Sequence, residues 1–126
     1  MRKAITTDGA PKPAGPYSQA VIDGDTIYVA GQGPGDPQTG KLDPGDIRSQ
    51  TRRTLENLKA ILEAAGSSTD RVLRCNVYLR DINDFAAMNE VYATYFAAPA
   101  PARTTIQAGA LPGGIAVEID CIARRA

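Results

Sequence analysis

"RVLRCNVYLRDINDFAAMNEVY", from Arg71 to Tyr92, changes its period halfway along. Up to Arg80 the residues alternate. Leu73, Cys75, Val77 and Leu79 take one side, and Arg74, Asn76, Tyr78 and Arg80 take the other. That is the pattern of a half-buried strand. From Phe85 the spacing becomes helical: Phe85, Met88, Val91 and Tyr92, continued by Tyr95 and Phe96, share one side. Asn83 or Asp84 supplies the cap, and the helix must stop before Pro99. A strand followed at once by a helix predicts that both element types pack on one core.

The flanking segments extend this pattern. Upstream, Ile47, Thr51, Leu55, Leu58, Ile61, Leu62 and Ala65 fall at helical spacing. Asp43 before Pro44, or Asp46, is the candidate cap, and Gly66 is the stop signal. Before that helix, Gly31 to Asp46 is dense in Gly, Pro and Asp and predicts a loop, of a length that usually serves function. Val21 to Gly31 holds two short β-prone runs around Gly24-Asp25, a hairpin signal. Downstream, "ARTTIQAGA" is a short extended segment. "IAVEIDCIARR" is a last strand with Val117, Ile119, Cys121 and Ala123 on one face and Glu118, Asp120 and Ile122 on the other. The order β-β-loop-α-β-α-β-β predicts one α+β domain over residues 1–126, with two helices on one face of a mixed sheet. Tyr28, Tyr78, Ile122 and some charges fall on the other face. Apolar area exposed there predicts a subunit contact.

The composition excludes several chemistries. With no histidine, the usual general base, histidine-dependent triads and most zinc sites are absent. The two cysteines, Cys75 and Cys121, lack a CxxC spacing and read as buried free thiols. Basic and acidic residues number 14 each, so no broad footprint on nucleic acid or an anionic membrane is expected. No apolar run approaches the ~20 residues of a membrane span, and the first residues carry no apolar signal segment. The expectation is a cytoplasmic protein. Lys3, Lys12, Lys41 and Lys59 are the only lysines for Schiff-base chemistry, and none falls in an evident pocket.

Against this background Arg103 stands out. It lies in "APAPARTTIQAGALP" (Ala98–Pro112) as the one charge among small and apolar residues. Such an arginine needs a partner. Glu118, mid-strand between Val117 and Ile119, raises the same question. Either the two pair with each other, or Arg103 offers its planar fork to a ligand carboxylate while Glu118 handles a proton or a water. Tyr17, in the turn "GPYSQA", serves as turn packing or as a lid. Asn89 is a helix-surface amide or a ligand contact.

The same residues carry a resemblance. "GPYSQA" (15–20), "AGQGPGDPQTG" (30–40), "TLENLKAILEAAG" (54–66), "NVYLRDINDFAAMNEVY" (76–92), "PARTTIQAGALP" (101–112) and "VEIDCIA" (117–123) resemble, in order, the signature blocks of the RidA family, also called YjgF or L-PSP. The resemblance implies a chorismate-mutase-like fold assembled as a homotrimer, with a barrel of sheets and a cleft at each subunit interface. It implies a cofactor-independent deaminase, without metal, that hydrolyses 2-iminopropanoate and 2-iminobutanoate to 2-oxo acids and ammonia. Arg103 then clamps the substrate carboxylate, helped by the backbone N–H of Thr105, and Glu118 positions water. Tyr17, Gly31 and Asn89 line the cleft. Two positions depart from many members: Ala30 replaces a serine, and Thr105 stands where some have cysteine. The other readings are a binding or regulatory protein for 2-oxo acids and related carboxylates, and an endoribonuclease, an activity attributed to some relatives.

Overall fold

The computed structural model describes residues 1–126. Its strands are β1 (Lys3–Ile5), β2 (Ala20–Asp23), β3 (Thr26–Gln32), β4 (Val72–Leu79), β5 (Ala102–Gln107) and β6 (Val117–Arg124). Its helices are α1 (Ile47–Ala64) and α2 (Phe85–Tyr92). The strands form one sheet in the order β1-β2-β3-β6-β4-β5. β4 and β5 run parallel and every other pair is antiparallel. The expected α+β architecture, a mixed sheet with two helices, is therefore what the chain adopts. No helix is long and apolar enough to cross a membrane.

The helices cover one face of the sheet, and the core lies between them. Leu58, Ile61 and Leu62 of α1 are fully buried, as are Val77 and Leu79 of β4 and Ile119 of β6. Burying each such side chain contributes roughly 1.5–3 kcal/mol. Asp46, not Asp43, caps α1: its carboxylate accepts the Ser49 N–H at 3.0 Å. Asp43 instead accepts from the Gly45 N–H and the Ser49 hydroxyl just ahead of the helix. Gly66 follows the last turn at φ +78°, a conformation that a side chain disfavours.

Four expectations are corrected. A further strand, β1, precedes the hairpin; three residues are too few to show a period. Leu73 is half exposed, because the β4–β6 register shifts between Val72 and Arg74 and Val72 takes the buried place. α2 closes at Tyr92, and Phe85 at its start is 42% exposed instead of lying in the core. The loop expected from Gly31 to Asp46 begins two residues later, because Gly31 and Gln32 end β3, and it is tied down. The Asp36 carboxylate accepts the N–H groups of Gln38 and Thr39, and Gly35 bridges to Leu42.

The uncovered face carries Glu118, Asp120 and Ile122 of β6 beside Tyr78, Asn76 and Arg74 of β4. Asn76 and the Tyr78 hydroxyl both donate to the Asp120 carboxylate, at 2.9 and 3.1 Å. Tyr28 and Ile106, each nearly half exposed, lie on the same face.

Candidate functional site

Arg103 sits on β5, an edge strand, directly beside Cys75 of β4, which in turn pairs with Cys121 of β6. Both cysteines are buried, so Arg103 projects toward the helices. There α2 provides a cradle. Phe85, Asn89 and Tyr92, at i, i+4 and i+7, form one stripe of that helix. The guanidinium carbon lies 4.6 Å from the Tyr92 ring centre and 5.4 Å from that of Phe85. Arg103 Nη2 donates to Asn89 Oδ1 at 2.7 Å. No carboxylate pairs with it: the ion pairs of the chain are Met1–Asp23 and Arg48–Glu90. A half-buried guanidinium held by two rings and one amide keeps most of its fork available. Thr105, two residues along the same face, has a buried hydroxyl with no partner. Tyr92's hydroxyl is likewise buried and unpartnered, beside the Cys75 thiol. Burial is the main cause pushing that phenol, and both thiols, above their ordinary ranges.

Glu118 belongs to a different place. It pairs with Tyr78 across β4, on the face away from the helices. It lines a cleft of about 600 Å³ whose other walls include Pro11, Tyr17, Gly31, Leu42 and Ile115. The β3–β6 register shifts between Val29 and Gln32, so the strand bulges at Ala30–Gly31. The bulge sets the Gly31 backbone against the Glu118 side chain. A Cβ there would overlap the carboxylate and stand 2.9 Å from its Cδ. Tyr17 is half exposed at the cleft, its hydroxyl accepting the Ala14 N–H at 3.2 Å. Burial first, then the nearby Asp120 charge, raises the Glu118 carboxyl above the ordinary carboxylate range. An acid shifted this way moves toward the range useful for exchanging protons near neutrality.

The structure thus brings the named residues together as two groups. Arg103, Asn89 and Thr105 form one, and Tyr17, Gly31 and Glu118 form the other. The two do not meet within one chain, and Arg103 and Glu118 are not a pair. Asn89 is engaged by Arg103 through its oxygen, which leaves its NH₂ free. Lys12 corrects an expectation: it lines the cleft with Glu118. Its side chain is exposed, unlike the desolvated lysines that form Schiff bases. The Phe85–Tyr92 cradle went unread in the sequence because its spacing is also that of a core face.

Comparison with known proteins gives the following. The family model described as Endoribonuclease L-PSP matches residues 7–125. A RutC family protein of Pyrococcus horikoshii is 54% identical over 123 residues, covering 98% of each chain. The mouse protein named 2-iminobutanoate/2-iminopropanoate deaminase is 47% identical over 123 residues, 98% of this chain and 91% of that one. The crystal structure of RidA from the Antarctic bacterium Psychrobacter sp. superposes with a TM-score of 0.94 at 46% identity, covering 97% of this chain and 98% of that one.

Proposed function

The chain belongs to the Endoribonuclease L-PSP family, also called RidA or YjgF, and from that premise we propose that it hydrolyses 2-imino acids to 2-oxo acids and ammonia. The observation that carries this reading is Arg103. Its fork is oriented by Asn89, Tyr92 and Phe85 yet is bound to no carboxylate of its own chain. It is built to receive one from a ligand. Relatives named 2-iminobutanoate/2-iminopropanoate deaminase support the substrate class.

The complete site requires two copies of the chain. One supplies Arg103, Thr105 and Asn89, and the other supplies Tyr17, Gly31 and Glu118. Opposite-face placement of the two groups supports this assembly, because one rigid sheet cannot turn both toward one small molecule. The uncovered sheet face with Tyr28, Ile106 and Ile122 is the surface for such contact. A closed ring of three copies satisfies it with one cleft per interface.

The chemistry asks little of the protein. The iminium carbon is already electrophilic, so no covalent nucleophile is needed. Arg103 and the backbone N–H of Thr105 hold the carboxylate and orient the carbon. Glu118 accepts a proton as water adds to that carbon. Glu118 then returns that proton to the amino group of the resulting carbinolamine; as the C–N bond breaks and the C=O bond forms, Glu118 takes up the hydroxyl proton and passes it to the departing ammonia, so the products are the 2-oxo acid and ammonium. Tyr17 closes the mouth of the cleft.

The test is a coupled assay. 2-Iminobutanoate is generated from threonine by a dehydratase, and 2-oxobutanoate formation is followed with the wild type and with Arg103→Ala. Acceleration by the wild type alone is expected. No acceleration by a folded wild type would leave a carboxylate-binding role in its place.

A further inference from the structure

α1 carries a second stripe, this one polar and buried. Gln50, Thr54 and Asn57 stand at i, i+4 and i+7, and are 7%, 0% and 0% exposed. Buried amides are costly unless their hydrogen bonds are made. Here they are made, and all go to backbone or to a neighbour on α1. Asn57 Nδ2 donates to the carbonyls of Gly33 (3.1 Å) and Gly35 (2.8 Å), and its Oδ1 accepts from Arg53 Nη2 at 2.9 Å. Gln50 Oε1 accepts the Ala116 N–H at 2.8 Å, and its Nε2 donates to the Gly45 carbonyl at 3.0 Å.

The recipients are the two backbones that flank Glu118. Gly33 and Gly35 follow the strand whose bulge sets Gly31 against the carboxylate. Ala116 lies two residues ahead of Glu118 and leads β6 into the sheet. The Ile115 side chain packs against the Gly33 backbone, since a Cβ on Gly33 would stand 2.8 Å from Ile115 Cδ1. One helix therefore holds both the residue that leads into the strand bearing the carboxylate and the backbone that leaves the strand confining it. The bulge locally disrupts the ladder at Ala30–Gly31, and the Asn57 bonds tie the chain just beyond it. The cost of this arrangement is visible next door: Thr54 Oγ1, between the two amides, is buried with no partner.

We propose that Gln50 and Asn57 are positioning residues for Glu118, holding its carboxylate against Gly31 in the orientation that water activation requires. The proposal rests on the deaminase reading for its kinetic consequences, but not for its structural one. Neither residue touches the Arg103 group, so carboxylate binding is independent of them.

The deciding experiment compares Gln50→Met with Gln50→Glu. Methionine keeps the volume and removes both hydrogen bonds. Glutamate keeps the acceptor for the Ala116 N–H and loses only the donor to Gly45. It stands in the first turn of α1, where a negative charge is favoured, which offsets part of the cost of setting its carboxylate against the Gly45 carbonyl. The first readout is the titration of Glu118 by carbon NMR of δ-labelled glutamate, practical because the chain has only four glutamates. The second is the split between kcat and KM. For Gln50→Met the expected result is a Glu118 titration moved down toward the ordinary carboxylate range, kcat lower by about tenfold and KM within about twofold. Gln50→Glu should stay near wild type in both. Asn57→Asp, which cannot donate to Gly33 or Gly35, should behave as Gln50→Met if that variant does not fold. A folded Gln50→Met or Asn57→Asp with wild-type titration and kcat would overturn the proposal, as would Gln50→Glu failing as badly as Gln50→Met. If the wild type turns over no imine, the deaminase reading falls and the NMR comparison still decides the positioning role.

Discussion

Arg103 and Glu118 project from opposite faces of the same sheet. Arg103 pairs across to Cys75, and Glu118 pairs across to Tyr78 on the same strand, an odd number of residues further along. Successive side chains on a strand alternate in direction, so the two cannot converge without breaking the sheet. This predicts complementation between subunits. Arg103→Ala and Glu118→Gln should each be inactive alone. Unfolded and refolded together in equal amounts, they should recover about one quarter of wild-type activity. In a ring of three, that is the chance that one cleft receives both intact halves. No recovery in a mixture shown to contain hybrid oligomers would exclude the two-copy site.

Arg103→Lys should lower kcat/KM by about a hundredfold while leaving the fold intact. An ammonium offers no planar fork and stacks less well on the Tyr92 ring. Asn89→Ala should cost less, roughly fivefold and mainly in KM, since it frees the fork without removing it. Steady-state kinetics on the three proteins will show whether this order holds.

Gly31→Ala should lower kcat about tenfold or more. The added methyl would take the space of the Glu118 carboxylate and force it to swing away. Binding of 2-oxobutanoate, measured by calorimetry, should be nearly unchanged, because the proposed carboxylate clamp belongs to the other group of residues. A loss of binding equal to the loss of turnover would argue against this division of labour.

Glu118→Gln should abolish turnover yet raise stability at pH 7.5. Burial lifts the carboxyl above its ordinary range in the folded state. The native protein then holds a proton that the unfolded chain releases. Stability therefore falls as pH rises from the ordinary carboxylate value through the folded one. Glutamine carries no such dependence. Scanning calorimetry should give a Tm higher by about 1–3 °C at pH 7.5 and no gain near pH 4. A lower Tm at pH 7.5 would mean that the assembled protein satisfies the ionised carboxylate.

Cys75 and Cys121 should be inert in the native state. Both are buried, and burial holds both thiols above their ordinary range. A maleimide at neutral pH should label neither until denaturant is added, and both afterwards. Rapid labelling of the native protein would point to opening of the sheet between β4 and β6.

Much of this molecule was legible in its sequence, because period reports burial locally. The alternation of Val117, Ile119, Cys121 and Ala123 and the helical spacing of Ile47 through Ala65 correspond to buried faces in the structure. Glu118 and Arg103 were legible as charges without an obvious partner. Their relation was not. Alternation tells which residues of one strand share a face, but matching faces between strands needs register, and a shift of one residue inverts the answer. Leu73 shows the same limit, since one bulge moved it from the expected inner face to solvent. Gln50 and Asn57 escaped for a related reason. Polar residues on a helix read as a solvated face, and only packing against Gly33, Gly35 and Ala116 turns them inward. Local chemistry thus chose the elements and their candidate side chains. Tertiary register and packing divided those side chains into two groups on opposite faces, which is why the proposed site draws its two halves from two copies of the chain.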